Sequence, residues 1–320
     1  MDTYDLIIIG GGPAGITASV YAARKRIKTL LITKDFLGQV ARTSEVDNYL
    51  GFPKISGIEL MRKFKKHVEK LSNVLSSKDY KGIKIIKEEV VNVKKQRNNF
   101  LLKTKTRKEF SAKALIIATG SDPRPLEVVG EKEFIGKGVS YCSSCDASFF
   151  KGKIAVIVGG GNSGLEAVLD LVKYAKRIFI FEMLDRLKAD EILQDRVQFL
   201  IKHKKNIEIF LNTKIQRING KKKVQSIVYK NLKTGKTFQM PVDKIFIQVG
   251  LVPSTSFLKG IVKFNQKDEI IVDFETCKTS MPGIFAAGDV NNGKWKQIVL
   301  AAGDGTRAAL SAYDYLQKSR

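Results

Sequence analysis

Two stretches of the chain carry the same alternation of apolar run, glycine cluster and second apolar stretch. Tyr4-Asp5-Leu6-Ile7-Ile8-Ile9 reads as a parallel strand buried on both faces, and it feeds directly into Gly10-Gly11-Gly12-Pro13-Ala14-Gly15. Pro13 suits the first turn of a helix and residues 16–23 continue it. Arg24, Lys25, Arg26 and Lys28 then collect where the negative end of the helix dipole falls. A strand over Thr29–Thr33 closes a βαβ unit. The second copy begins with a strand over Ile154–Val158 and continues into Gly159-Gly160-Gly161-Asn162-Ser163-Gly164. A helix to about Lys173 and a strand over residues 178–181 complete it.

One G-x-G-x-x-G is weak evidence, because glycine turns are common. Two copies, each after an apolar strand and before a helix, are hard to obtain by chance. In such a loop the glycines permit a tight turn and close approach of backbone N–H groups to a pyrophosphate, whose charge sits at the helix N-terminus. The residues predicted to hold phosphate are Gly10, Gly12, Pro13, Ala14 and Gly15 in the first copy, and Gly159, Gly161, Asn162, Ser163 and Gly164 in the second. Two dinucleotides are expected. Ala114-Leu115-Ile116-Ile117-Ala118-Thr119-Gly120 and Gly283-Ile284-Phe285-Ala286-Ala287-Gly288-Asp289 each read as a further strand and turn.

At roughly 150 residues per domain, the 320-residue length points to two domains or to one domain inserted in another. Apolar residues at 43% supply a substantial core, and no apolar run approaches the ~20 residues of a membrane helix. The N-terminus carries Asp2 and Asp5 where a secretory signal carries Lys or Arg, so a cytoplasmic location is expected. Charge is the outlier: 56 Lys+Arg against 32 Asp+Glu gives +24. The cations are dispersed, with short clusters at Lys221-Lys222-Lys223 and residues 202–205, and no basic stripe alternates with aromatics. Nucleic acid is therefore not assigned as the main partner; a lysine-rich proteome or an acidic protein partner accounts for the excess.

Three cysteines exclude a disulfide framework, but Cys142 and Cys145 stand at C-x-x-C spacing, which reads as redox chemistry or half a metal site. A structural zinc needs two more ligands, and Cys277, His67 and His203 are scattered singly, so no metal is expected. Cys277 is read as structural.

Taken with the first glycine loop, the segments ending at Ala118-Thr119-Gly120 and at Gly288-Asp289 resemble the signatures of FAD-dependent pyridine nucleotide-disulfide oxidoreductases. The resemblance implies two Rossmann-like three-layer α/β domains. An FAD domain is formed by 1–112 and 245–320, and the NAD(P)H domain, 113–244, is inserted into it and carries the cysteine pair. It also implies that Gly288-Asp289 contacts the flavin's ribityl chain. Tyr141-Cys142-Ser143-Ser144-Cys145-Asp146, just ahead of the second glycine loop, resembles the redox centre of low-molecular-weight thioredoxin reductases. In the glutathione reductase branch the pair follows the first glycine loop, and residues 16–60 here contain no cysteine. Gly38-Gln39, Asn48 within Glu45-Val46-Asp47-Asn48-Tyr49, and Lys296-Gln297 before an Ala-rich helix also match on the FAD side. The segments 188–195, 247–253 and Cys277 are more similar to the flavoprotein core of the alkyl hydroperoxide reductase F subunit than to ordinary thioredoxin reductase. That relative carries an N-terminal pair of thioredoxin-like folds, whereas this chain opens at its FAD strand, so a separate acceptor protein is expected.

The family resemblance implies a thioredoxin-disulfide reductase passing reducing equivalents from a nicotinamide through FAD to the Cys142–Cys145 disulfide and on to a thioredoxin or glutaredoxin-like protein. Cys145 is implied to face the flavin, Cys142 to attack the partner, and Asp146 to move the proton. A homodimer and rotation of the inserted domain are implied as well. Glu182, about 20 residues past the second glycine loop, stands where an acid binds both ribose hydroxyls of NADH and repels the extra phosphate of NADPH, so NADH is expected over NADPH. On the FAD side Lys34 replaces the acid usual at the end of the second strand, with Asp35 next to it, and Leu37 replaces a glycine. The competing readings are a reductase component of a peroxiredoxin system, an NADH oxidase-type flavoprotein, and a basic scaffold for nucleic acid.

Overall fold

The computed structural model describes residues 2–43, 46–74, 82–142, 150–204 and 206–318. The chain forms two compact units, one from residues 1–122 and 252–320, the other from 123–251.

The first unit is built on a seven-stranded sheet. Its parallel part runs Ile83–Lys87, Thr29–Thr33, Asp2–Ile9, Glu109–Ile117. Beyond that, Asn99–Thr104 and Val90–Gln96 add an antiparallel meander. Glu109–Ile117 is shared along its free edge: its first half pairs with Asn99–Thr104 and its last three residues with Ile284–Ala286. The late strand thus returns to the middle of a sheet begun at the N-terminus. Leu6, Ile7 and Ile8 are fully buried, as are Leu115, Ile116 and Ile117, which is why both runs are apolar without alternation.

Against one face lie the helices Pro13–Arg24 and Ile298–Lys318. Small residues set their spacing: Ala14, Gly15, Ala18, Ala22 and Ala23 on one, Ala301, Gly305, Ala308, Ala309 and Ala312 on the other, all buried. At Gly305 a Cβ would stand 2.1 Å from the Ala14 carbonyl oxygen. No helix among the described residues is long and apolar enough to cross a membrane.

The second unit has a five-stranded, all-parallel sheet in the order Ile207–Phe210, Arg177–Phe181, Ile154–Val158, Lys244–Ile247, Val139–Ser140. The helices Asn162–Leu171 and Glu191–Lys204 pack into one of its cores. A three-stranded antiparallel sheet, Thr213–Gly220, Val224–Asn231 and Thr237–Pro241, closes the other.

The chain passes between units after residues 122 and 251, later than the crossings near 113 and 245 expected from the sequence. The reason is strand continuity. Glu109–Ile117 belongs wholly to the first sheet, so the chain leaves only after it ends, and Lys244–Ile247 is a central strand of the second sheet.

Gly305→Ala is expected to lower stability by about 2 kcal/mol or more, as overpacking between rigid backbones does, seen as a drop of several degrees in melting temperature. Gly303→Ala, on the same helix with nothing within 4 Å of its Cβ position, is the control and leaves the melting temperature unchanged or slightly higher.

Candidate active site

The two glycine loops are built to one plan. In the first, the Gly10 N–H donates to the Ile32 carbonyl at 2.8 Å, and in the second the Gly159 N–H donates to Phe181 at 2.9 Å. Gly10 and Gly159 share a left-handed φ, +115° and +113°. A Cβ there would lie 2.1 Å from the Ala118 oxygen and 2.2 Å from the Gln248 oxygen. At Gly15 and Gly164 it would lie 1.8 and 1.9 Å from the carbonyl oxygens of Gly10 and Gly159. These close approaches seat each helix on its strand. The third glycine of each triplet does the opposite. Gly12 and Gly161 are the N-caps, with extended backbone and, among the described residues, no side-chain cap and nothing within 4 Å of their Cβ positions. Each loop therefore leaves the first amides of a helix without a side-chain acceptor in an open hollow, which is the donor set a pyrophosphate needs.

Around the first hollow the unit gathers most of the sequence-predicted FAD residues. Gly288 faces Ala14, with its Cβ position 3.1 Å from the Ala14 Cβ. Its N–H donates to Asp304 Oδ2 at 3.1 Å, which also accepts from Asn291 Nδ2 at 2.8 Å. Lys296 pairs with Glu269 at 2.9 Å and donates to the carbonyls of Asp289 and Asn291, so it pins the 288–291 turn. Burial pushes the Asp289 carboxyl above the usual carboxylate range, with Asp304 adding to the effect and Lys296 opposing it. Thr119 Oγ1 donates to the Ser254 carbonyl at 2.9 Å, and Gly120 takes a left-handed φ of +63°. Gln39 Nε2 donates to the Ser121 carbonyl at 2.7 Å, and Asn48 Nδ2 to Gln297 Oε1 at 3.3 Å. The Ser121 hydroxyl is buried and has no hydrogen-bond partner among the described residues. A ligand that reached this corner would satisfy it.

Because Ile32 and Phe181 play the same part in the two loops, Thr33 and Glu182 occupy equivalent positions. Glu182 reaches back under its loop: Oε2 accepts from the Gly160 N–H at 2.7 Å and Oε1 from the Leu184 N–H at 2.9 Å. Thr33 instead donates to the Asp35 carbonyl. Lys34 points to Glu89 at 2.7 Å, and Asp35 Oδ1 accepts from Leu37 and Gly38 N–H at 2.8 and 2.9 Å. Asp35 thus holds the turn that contains the Leu37 departure. Asn162 and Asp190 exchange two hydrogen bonds of 2.8 Å, while Ser163 is exposed at the helix start.

Cys142 follows the edge strand Val139–Ser140 and is disulfide-bonded. Its N–H donates to Ser140 Oγ at 3.1 Å. Cys145 and Asp146 lie outside the described residues. The residue before Cys142 is clamped: the Tyr141 hydroxyl donates to Glu131 Oε1 at 2.6 Å, and the same carboxylate accepts from the Leu126 and Glu127 N–H groups at 2.8 and 2.7 Å. Glu131 is 1% exposed, and burial together with that carboxylate raises the Tyr141 phenol well above its ordinary value. Cys277 is a buried free thiol, donating toward the Asp304 carbonyl at 3.6 Å, and burial pushes it up to about 11.

Sequence reasoning missed Glu131, Asp304 and Glu269. Asp304 has a usable signal, a single acid on the small-residue face of the last helix. Glu131 and Glu269 have none, since their partners lie in loops with no periodicity.

The raised Asp289 gives a pH test. An acid with a folded pKa above its unfolded value keeps its proton longer when folded, so stability falls as pH rises from about 4 through the folded value. In the ligand-free protein Asp289→Asn is expected to raise the melting temperature at pH 7 and to flatten its decline between about pH 4 and 7. An unchanged profile would refute this account of Asp289.

The family model described as pyridine nucleotide-disulphide oxidoreductase matches residues 4–305. Over 321 residues the chain is 38% identical to the alkyl hydroperoxide reductase F subunit of Escherichia coli (strain K12), covering 100% of this chain and 59% of that protein. It thus spans less than two thirds of that relative's length. Thioredoxin reductase from Lactococcus lactis superposes with a TM-score of 0.90 at 37% identity, over 98% of this chain and 99% of the other. Thioredoxin reductase from T. acidophilum does so with a TM-score of 0.86 at 39% identity, again over 98% and 99%. The match runs through both glycine loops and the Cys142 segment between them: the chain belongs to the pyridine nucleotide-disulphide oxidoreductase family.

Proposed function

We propose that this chain is an FAD-dependent reductase of protein disulfides that draws on NADH and works through Cys142 and Cys145. The observation that carries the reading is the duplicated cradle, two loops of matching geometry with uncapped helix starts, with a disulfide-bonded Cys142 in the second unit. Family membership implies a flavin and a nicotinamide nucleotide. The first cradle, with Ala118, Thr119, Gly288, Asp289 and the Ser121 hydroxyl that has no partner among the described residues, fits FAD. The second, with Glu182, fits the nicotinamide nucleotide. Bound FAD supplies a group that accepts a hydride and returns two electrons to a disulfide.

The chain's own residues do the rest. Helix starts at Gly12 and Gly161 hold pyrophosphate charge. With the disulfide reduced, the Cys142 thiolate attacks one sulfur of the acceptor's disulfide and the other sulfur leaves as a thiolate. Cys145 then attacks the mixed disulfide, which restores the Cys142–Cys145 bond and frees a dithiol acceptor. Asp146 is assigned the proton transfer at these sulfurs. The thioredoxin reductases and the alkyl hydroperoxide reductase F subunit among the similar proteins support a thioredoxin-like acceptor.

Glu182 supports NADH by charge and by rigidity. Two backbone amides fix its carboxylate, so it cannot swing away from a ribose phosphate. A carboxylate about 5 Å from a phosphate dianion is repelled by on the order of 2 kcal/mol even at water-like screening, which is about 30-fold in affinity.

Two measurements test the proposal. Cys142→Ser is expected to abolish NADH-dependent reduction of a thioredoxin while leaving NADH:ferricyanide activity within about twofold, since ferricyanide takes electrons without a disulfide; retained thioredoxin reduction would refute the role of Cys142. Glu182→Gln, which keeps an acceptor for one backbone amide, is expected to cut the NADH-over-NADPH ratio of kcat/KM by roughly tenfold or more. A wild type that uses both nucleotides equally would overturn the assignment of Glu182.

A further inference from the structure

The three-stranded sheet of the second unit is a one-sign surface. Between Glu208 and Asp243 the sequence holds eight cations, Lys214, Arg217, Lys221-Lys222-Lys223, Lys230, Lys233 and Lys236, and no acid. The other 286 residues contain all 32 Asp and Glu, about one in nine, so a chain that was merely basic would place three or four acids in this stretch. None of the eight cations belongs to an ion pair among the described residues.

The register shows that this charge opposes the fold. Ile215, Ile218, Val224, Ile227 and Tyr229 turn inward and are buried, while Lys214 and Arg217 are exposed on the other face. Lys214 lies directly across from Lys230. Like charges facing each other across strands destabilise a sheet, and an acid at either position would stabilise it. The next turn adds Lys233 and Lys236 and is itself fixed: Asn231 Oδ1 accepts from the Lys233 and Thr234 N–H groups at 3.0 and 2.9 Å, and the Asn231 N–H donates to Lys236 O at 2.9 Å. Four lysines are thus displayed together at one end of a rigid hairpin.

This sheet is tied to the redox segment. Its buried residues share one apolar cluster with Phe134, Val139 and Tyr141, the residue before Cys142. The Val224 N–H donates to Lys137 O at 3.0 Å and the Ile218 N–H to Val129 O at 2.9 Å.

We propose that this sheet is the docking and steering face for the protein that accepts electrons from Cys142, and that the matching surface of that protein is acidic; the proposal rests on the disulfide-reductase reading. Complementary fields raise encounter rates and select among partners, and they act over a Debye length rather than through a fitted pocket. Of the macromolecular polyanions, a protein fits better than a nucleic acid. The outward positions carry Lys, Arg, Asn, Ser, Val, Thr, Gln and Pro with no aromatic platform for bases, and the one aromatic ring left partly open at the rim, Phe238, sits on the opposite face with one side stacked on Tyr229 at 5.5 Å.

The test uses the FAD-loaded full chain and a fluorescently labelled, net-negative thioredoxin whose attacking cysteine is Ser, so that binding is read without turnover. Anisotropy is measured at about 20 and 300 mM salt, on wild type, Lys214→Glu and the turn variant Lys233→Gln/Lys236→Gln. The wild-type Kd is expected to rise about tenfold or more with salt. At low salt each variant is expected to bind about fivefold or more weakly than wild type, converging at high salt. Lys214→Glu is further expected to melt no lower than wild type, because it turns the repulsion at Lys230 into attraction. No binding of the probe to wild type at low salt, or equal binding by all three proteins, overturns the proposal. So does loss of affinity for a mixed-sequence oligonucleotide with the probe unaffected, which assigns the face to nucleic acid. NADH-dependent reduction of an unmodified thioredoxin at saturating concentration is run alongside; its failure sinks the reductase reading, while the anisotropy still judges the face.

Discussion

The structure turns on a distance at which no side chain fits. Where a helix leaves the strand Asp2–Ile9 in the first unit and Ile154–Val158 in the second, the glycine Cα lies so close to a carbonyl at the end of the neighbouring strand that a Cβ would stand 2.1 or 2.2 Å from its oxygen. That contact fixes the helix against the sheet edge and aims its first amides outward. Everything near the first cradle follows from it. Ala14 presses on Gly288 and Gly305, so the last helix must bring small residues, and the strand Ile284–Ala286 must return to the centre of the N-terminal sheet. The close approach at Ala14 thereby restricts composition at Gly288 and Gly305, more than 270 residues later. The second unit meets the same condition at Gly159 with Gln248 as the neighbour, without any return of the chain from a distant end.

Most of this was legible in the sequence, because glycine spacing and unbroken apolar runs report directly on close approach and on two-sided burial. The strands Thr29–Thr33 and Ile154–Val158 lie where the pattern puts them, and the helix after each triplet begins at Pro13 and Asn162. The crossings between units were misplaced because strand continuity is not a local property. Glu109 to Lys113 alternates polar and apolar residues like an edge, yet it is one strand with the apolar residues that follow. Lys244–Ile247 is too short for its pattern to tell which sheet it joins. Polar partners were harder still. The Glu131 carboxylate meets Tyr141 ten residues away, and Asn162 meets Asp190 across 28 residues, with no period linking them.

The equivalent positions Thr33 and Glu182 show how one scaffold is fitted to two tasks. Both follow the strand residue whose carbonyl receives the first glycine amide. In the second unit the side chain is a carboxylate held from below by the Gly160 amide, so its charge is fixed beside the hollow. In the first unit it is a hydroxyl turned to the Asp35 carbonyl, and the adjacent cation is drawn off to Glu89. The loop backbone geometry is common to both units, and under the proposed function discrimination between nucleotides falls to a side chain that this geometry does not constrain. That division explains why the glycine pattern pointed to two cradles, while the choice of FAD for the first rested on family resemblance and the expectation of NADH over NADPH for the second rested on the charge of Glu182.

The same division separates polar groups that serve the fold from those that serve a ligand. A buried polar group without a partner costs roughly 1–3 kcal/mol, so a folded chain normally satisfies it internally. Glu131 accepts three hydrogen bonds, and Lys296 is tied to Glu269 and to two carbonyls, so both are consumed by structure. Near the first cradle the Ser121 hydroxyl has no partner and the amides after Gly12 no side-chain cap among the described residues, and burial works against the charge of Asp289. Unsatisfied groups of different chemistry lying in one unit, beside a hollow lined by glycine, are costly to the bare protein. A bound dinucleotide that supplied acceptors to the amides and a partner to the hydroxyl would remove that cost, so affinity for the cofactor and instability of the empty protein have one physical origin.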